Sequence, residues 1–308
     1  MNNRLVVYGL LTFVMLSWGL NVTALKILVV DMAPITMNAF RVFVAGVGVL
    51  LMLWLTKSIR KLTLKEYGFL AFISLFNVVG HHLFLSVGLS NTTATNGGLI
   101  LGLVPILTAL VSIPILKTRL SFIKTVGIII AFFGVSFVVL IGSTGTFSVS
   151  IGDAQVFISG FTQAISFALI KKASSTIDAR LMTGWMMVIG SVIMFILSFI
   201  FEPEGLSTMA TTDVKLWSVF FASALIATAF GHMTYNYAIQ RIGPSESAVF
   251  INLNPLFALL GGVVFLGEGI YIEQGIGFIL VVIGVLCGSG AVEHWRKQKK
   301  EVQLRPPA

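Results

Sequence analysis

Charge is scarce in this sequence. Lys, Arg, Asp and Glu make up 10% of its 308 residues, where a soluble domain carries roughly 25%. So few ionic side chains cannot build a water-facing shell, which excludes a soluble globular domain. Cysteine is nearly missing as well: Cys287 stands alone, so no intramolecular disulfide forms. No Gly-rich phosphate loop ending in Lys and Ser/Thr occurs, which excludes ATP hydrolysis by this chain. No His-Glu-x-x-His helix and no paired intramembrane aspartates occur, which argues against membrane proteolysis. Nothing in the motifs calls for a cofactor.

Apolar residues fill the space that charge leaves. They make up 56% of the chain, and the mean hydropathy is +0.98. A helix needs about 20 apolar residues to cross the hydrocarbon core. Ten stretches meet that length, near 5–29, 33–56, 66–88, 93–116, 121–142, 152–171, 181–201, 215–238, 245–267 and 273–292. The linkers between them are short and polar. With the N-terminus in the cytoplasm, 17 of the 20 Lys and Arg fall in cytoplasmic segments. Only Lys215 falls in an outside loop, among Asp31, Asp153, Glu202, Glu204, Asp213, Glu268 and Glu273. That bias predicts ten spans across a plasma membrane with both termini in the cytoplasm. The net charge of +8 is spread over cytoplasmic loops, which suits retention and contact with anionic lipid, not nucleic acid.

Residues 94–142 and 244–292 repeat each other at an offset of 150. Pro105 falls on Pro255, Gly127 on Gly277 and Gly134 on Gly284, with Leu103/Leu253 and Leu110/Leu260 between them. Upstream, Gly80-His81 matches Gly231-His232. Five spans per half is an odd number, so the second copy inserts upside down. The predicted fold is an all-α integral membrane protein of ten transmembrane helices, arranged as two inverted five-helix repeats. The repeats are expected over 1–145 and 146–292, with a basic cytoplasmic tail over 293–308. Inverted repeats of this kind supply two exchangeable states for alternating access.

Ionisable residues inside a span are functional candidates. Lys26 lies near the outer end of span 1, where snorkelling competes with a site role. Arg41 lies roughly 12 Å into span 2 at 1.5 Å per residue, and no acid lies deep in any span to neutralise it. A positive cavity for a carboxylate or phosphate competes there with helix-end carbonyls. His81, His82 and His232 are candidates for substrate hydrogen bonding or proton coupling, with simple packing as the competing reading. A metal site is not expected, because no cysteine or intramembrane carboxylate completes a ligand set. Pro105 and Pro255 are read as mid-helix breaks, with Asn252 and Asn254 beside the second and Gly102 and Val104 beside the first. Trp18, Gly19 and Asn21 suit one wall of a cavity, and Asn96 and Tyr235 add hydrogen-bonding capacity. The paired glycines of spans 5 and 10 have spacing for close helix contact, within the fold or in a homodimer.

These residues resemble a known pattern, that of EamA-type members of the drug/metabolite transporter superfamily. The resemblance rests on Ser17-Trp18-Gly19 followed by Lys26, the Pro34-to-Arg41 opening of span 2, Pro105, Pro255, Gly267-Glu268, and Gln274 to Gly277 leading to Gly284. It implies a carrier of two inverted repeats with a central cavity, moving small metabolites such as amino acids, often outward. The sequence departs from the pattern at Lys117-Thr118-Arg119, which replaces the Gly-Glu step, and at Phe167, where a Trp is usual. Span 1 also lacks an acid, which argues against cationic-drug antiport.

The resulting expectation is a secondary transporter, not an enzyme, with a small-molecule substrate and the lipid bilayer as its partners. Its cavity is expected between spans 1, 3, 4, 6, 8 and 9. Trp18, Asn21, His81, Asn96, His232, Tyr235, Asn252 and Asn254 are expected to line it, with Arg41 as a partly buried positive group. A channel or a lipid-acting membrane enzyme, using His81 and His82 with a serine, is the alternative.

Overall fold

The computed structural model describes residues 2–117, 121–123, 125–127, 129–130, 133–134, 150–242, 247, 250–251, 253–269 and 271–288. Regular structure among them is entirely helical. Among the described residues seven helices are long and apolar enough to cross a membrane: Val6–Asp31, Pro34–Leu55, Leu64–Ser90, Ala94–Leu116, Ile151–Ala173, Ala179–Phe201 and Val214–Ile242. Shorter apolar helices cover Asn254–Leu266 and Gly275–Gly284. Expected span 5, over 121–142, falls largely outside the described residues.

By backbone pattern the elements are α1 (Asn2–Asp31), α2 (Pro34–Leu55), α3 (Leu64–Ser74), α4 (Phe84–Ser90), α5 (Ala94–Leu101), α6 (Val104–Leu116) and α7 (Ile151–Ala173). They continue with α8 (Ala179–Phe201), α9 (Gly205–Ala210), α10 (Val214–Ala222), α11 (Gly231–Ile242), α12 (Asn254–Leu266) and α13 (Ile272–Gly288). Polar caps set the starts. Thr63 and Glu66 form a capping box on α3, and Ser150 and Asp153 form one on α7.

Two spans carry π-helical segments in mid-course: Leu75–Leu83 between α3 and α4, and Ser223–Phe230 between α10 and α11. They occupy the third span of each half, so the duplication is visible in backbone geometry as well as in residues. A π turn widens the helix and re-aims the side chains around it, and such turns gather at functional sites.

The prolines act differently from the mid-helix breaks expected. Span 4 is two helices, α5 and α6, that meet at Gly102-Leu103, and Pro105 sits in the first turn of α6. Pro255 holds the same place in α12. A proline there costs no hydrogen bond, because the first-turn N–H groups of a helix are unpaired anyway. The two breaks match in detail: Leu103 N–H donates to the Ile100 carbonyl and Leu253 N–H to the Phe250 carbonyl, both at 3.0 Å. They also touch, since a Cβ on Gly102 would stand 2.7 Å from the Pro255 ring.

Packing is inside out relative to a soluble protein. Leu51, Phe72, Phe133, Val192, Ile196 and Phe199 face outward, while Arg41, Asn38, Asn77, His82 and Asn236 are buried. Lipid is the solvent such a surface needs. Gly134 packs within the fold, because a Cβ there would stand 2.8 Å from the Val281 nitrogen and 3.0 Å from the Gly277 carbonyl oxygen.

The two ends of the bundle differ. At the end bearing Asp31, Asp153, Glu202 and Glu268, carboxylates hold helix starts. Glu202 accepts from the N–H of Ile35 at 2.9 Å and of Thr36 at 2.7 Å. Glu268 accepts from the N–H of Ala94 at 2.8 Å and of Thr95 at 2.9 Å. At the basic end a vestibule of about 680 Å³ opens beside Asp178, Arg180, Tyr237, Gln240 and Arg241.

Candidate functional site

Both π segments and both helix breaks converge on one small cavity of about 40 Å³. That is room for a few waters, since one needs roughly 10–15 Å³. Its walls are Trp18 and Asn21 of α1, His81 and His82 of the first π segment, Thr228 of the second, His232 of α11, Gln163 and Phe167 of α7, and Asn254 of α12.

The aromatic wall follows from the second π segment. Trp18 Nε1 donates to the Ala227 carbonyl at 2.8 Å, and the ring stacks at 4.9 Å on His232 and 5.1 Å on Tyr235. Gly231 permits this approach, because a Cβ there would come 2.5 Å from Trp18 Nε1. Phe167 meets the Tyr235 ring at 5.1 Å from the second half. Trp18 and Phe167 therefore flank one tyrosine, and the departure at 167 keeps an aromatic wall.

Arg41 stands directly behind this cavity and is fully buried. Its Nε donates to Asn38 Oδ1 at 2.8 Å, and Nη1 donates to Ser223 Oγ at 3.1 Å and to Thr228 Oγ1. Nη2 meets His82 Nδ1 at 3.1 Å. Every one of these partners is neutral, and no acid touches the guanidinium among the described residues. Arg41 thus joins the first π segment, through His82, to the second, through Ser223 and Thr228. Ser223 Oγ in turn donates to Asn21 Oδ1 at 2.5 Å, which carries the network to the cavity wall.

The three histidines meet in space although the sequence puts them on two spans. One ring nitrogen from each lies within 4.8 Å of the others. Ring centroids are 4.7 Å apart for His81–His82 and 5.4 Å for His82–His232. His81 Nδ1 lies 2.8 Å from Ser159 Oγ, while that hydroxyl donates to the His81 carbonyl at 2.8 Å. Among the described residues, His82 Nε2, His232 Nδ1 and Asn254 Oδ1 are buried with no hydrogen-bond partner.

The expected site residues fall into three groups. Trp18, Asn21, His81, His232 and Asn254 line the cavity. Arg41 and Tyr235 are fully enclosed behind it, Arg41 more deeply than the partly buried group expected. Asn96 is buried in the first turn of α5, where its N–H donates to Thr93 Oγ1 at 3.1 Å, and it does not reach the cavity. Asn252 lies outside the described residues. Lys26 donates to the Leu89 carbonyl at 2.7 Å and closes the end of α4. Gln163, Phe167 and Thr228 line the cavity without having been expected there, and His82, a candidate for substrate hydrogen bonding, joins them. The repeat gives His82 no histidine counterpart, because Met233 holds the matching position.

A multi-pass helical membrane protein, with two equivalent broken spans and two equivalent π spans around a buried polar cavity, has the architecture of a membrane transporter. Residues 6–140 and 150–289 each match the EamA-like transporter family, and the chain belongs to that family, within the drug/metabolite transporter superfamily. Uncharacterized transporter YyaM of Bacillus subtilis is 31% identical over 277 residues, with 87% of this chain and 88% of that protein covered. An uncharacterized transporter of Archaeoglobus fulgidus is 27% identical over 268 residues, with 87% and 93% covered. A solved crystal structure with 16% identity shares the fold at a TM-score of 0.64, over 91% of this chain and 98% of that one. The protein is accordingly a transporter in a lipid bilayer, with a small molecule as its cargo.

Proposed function

We propose that the protein moves small zwitterionic or anionic metabolites, amino acids among them, outward across the plasma membrane by alternating access. The observation that carries this reading is the buried cavity at the meeting of the two π segments, with an uncompensated Arg41 behind it. The positive charge favours a carboxylate, and the unpartnered Asn254 Oδ1 is an acceptor for an ammonium group. Trp18, Asn21, His81, His232 and Asn254 are the cargo-binding residues in this reading, and Pro105 and Pro255 mark the breaks that flex.

Ten spans in two inverted repeats, divided near residue 145 and with both termini cytoplasmic, complete the proposal. The basic end then faces the cytoplasm. The carboxylate-held acidic end and the vestibule at the basic end support a cytoplasm-facing state in which the outer side is shut. Uptake and efflux of a radiolabelled amino-acid panel in proteoliposomes, with and without a pH gradient, tests the reading. Movement of at least one amino acid, lost in His232→Ala, is expected. A folded protein that moves none of the panel would overturn the choice of cargo.

A further inference from the structure

We propose that His82 is the anion-recognition donor of the cavity, with its proton fixed on Nε2 by Arg41, so that the site takes a single carboxylate and rejects a divalent metal ion. This deepens the cargo reading above and rests on it for the identity of the site.

A guanidinium has five N–H donors and no acceptor. Arg41 Nη2, 3.1 Å from His82 Nδ1, therefore donates to it. His82 Nδ1 must offer its lone pair, so the ring's one proton sits on Nε2. That N–H is buried and has no partner among the described residues, and His82 lines the cavity. A buried donor left unpaired carries its full desolvation cost, and an acceptor entering the cavity recovers it.

His81 is set the opposite way. The Ser159 hydroxyl has one proton and gives it to the His81 carbonyl at 2.8 Å. Its oxygen therefore accepts from His81 Nδ1, 2.8 Å away, which leaves His81 Nε2 as a lone pair. The adjacent histidines thus differ: one is a fixed donor and the other a fixed acceptor.

Three clustered histidines would ordinarily suggest a transition metal, because imidazole is a common ligand. Here His82 cannot serve. Its free nitrogen carries the proton, and moving that proton to Nδ1 would set N–H against the N–H of Arg41. The cationic guanidinium also repels a second cation, and no carboxylate in the cluster offsets it. One carboxylate, by contrast, brings the charge of Arg41 plus ligand to zero, the least costly state inside a membrane. A doubly charged phosphate would leave an excess negative charge. The small cavity admits a carboxylate group.

Full-length protein with 15N-labelled histidine in proteoliposomes gives the test by solid-state NMR. It has four histidines, and His82→Gln assigns the signal in question. Expected are a protonated Nε2 and a bare Nδ1 on His82, a His82 Nε2 shift on titration with formate, and no histidine shift with equimolar zinc. Arg41→Gln is expected to mix the His82 tautomers and to weaken formate binding about tenfold or more. Arg41→Lys, which keeps the charge and one donor, is expected to recover most of both. A proton on His82 Nδ1 in the native protein, a His82 signal indifferent to formate, or zinc saturating the histidines would each overturn the assignment. None of these measurements needs turnover, so a failed transport assay sinks the cargo reading alone, while a wrong tautomer sinks this one alone.

Discussion

Charged groups at the two ends of the bundle do different jobs. At the acidic end they reach across the chain. Glu202 bonds residues 166 and 167 positions away, Glu268 bonds residues 173 and 174 away, and Asp153 accepts from Thr92 Oγ1 at 2.6 Å across 61 positions. At the basic end the ion pairs are local. Arg60 meets Glu66 at 2.5 Å over six positions, and Arg180 meets Asp178 at 3.1 Å over two. Long-range carboxylate contacts join helices, whereas local ion pairs order single loops. Carboxylates tie helices together at one end, and a vestibule opens at the other.

The contrast has a sequence origin. Glu202 follows α8 and holds the start of α2, and Glu268 follows α12 and holds the start of α5. Each carboxylate thus ends a second-half span and clamps its first-half counterpart. The mirrored positions at the basic end follow α2 and α6, and there the chain reads Thr56 and Thr118, each beside a lysine (Lys57 and Lys117), instead of acids. A carboxylate at a helix N-terminus is favoured by the exposed N–H groups and the helix dipole, and neither a neutral threonine nor a lysine replaces that charge. In the alternating-access reading proposed above, this difference favours closure of the acidic end.

Removing both clamps is the largest test of that contrast. In Glu202→Ala/Glu268→Ala the starts of α2 and α5 lose charge-assisted bonds worth about 1.5–3 kcal/mol each, and 1.4 kcal/mol is already tenfold in a population. Leu85 lines the cavity, so access is read on a Leu85→Cys, Cys287→Ser background with an impermeant maleimide. Labelling from the acidic side is expected to rise about tenfold or more. An unchanged rate would mean that the acidic end is closed by packing and not by these carboxylates. Glu268→Gln alone keeps one acceptor and loses the charge, and a smaller rise is expected, from a loss of about 1–2 kcal/mol.

The legible and illegible parts of this molecule divide along physical lines. Span positions follow from hydropathy, because desolvation of backbone and charge sets a minimum apolar length. The seven long helices end within about a turn of the expected limits. The π segments carry no residue pattern of their own, since the same side chains suit a 3.6-residue period. The prolines marked where spans 4 and 9 change direction. Whether the chain kinks there or starts a new helix depended on Gly102 and Leu103 turning against the Pro255 ring. Arg41 was visible as a charge in want of partners. Its neutral partners Ser223 and Thr228 lie more than 180 positions away and no pattern links them to it. The histidine cluster likewise exists only once spans 3 and 8 are packed.

A backbone swap sharpens the comparison at a smaller scale. Lys117 and Gly267 end matching helices in the left-handed region, at φ 54° and 65°. Glycine adopts this conformation freely, while other residues pay roughly 1–2 kcal/mol. Gly267→Ala is expected to lower the thermal unfolding midpoint in detergent and to loosen Glu268, which follows it directly. Lys117→Gly is expected to raise the midpoint by the reverse effect, by about 0.5–1 kcal/mol of stability. Equal midpoints for the two variants would show that the paired helix ends are not equivalent.

The smallest effect is expected at the basic end, and it is the control for the others. Among the described residues Arg60 and Glu66 make the shortest ion pair, yet the pair lies at the surface with Arg60 exposed. Water screens its attraction, and ordering two long side chains offsets most of what is left. Glu66 also has a second task, since it caps α3 through Thr63. Arg60→Ala is therefore the clean variant, because it removes the pair and leaves the cap. Its unfolding midpoint and its cavity labelling from either side are expected to match the native protein. If Arg60→Ala instead changed labelling as much as Glu268→Gln, the bond from Arg60 to the Thr176 carbonyl at 3.2 Å would be acting as a gate contact. The basic end would then be held as the acidic end is, and the asymmetry would fail.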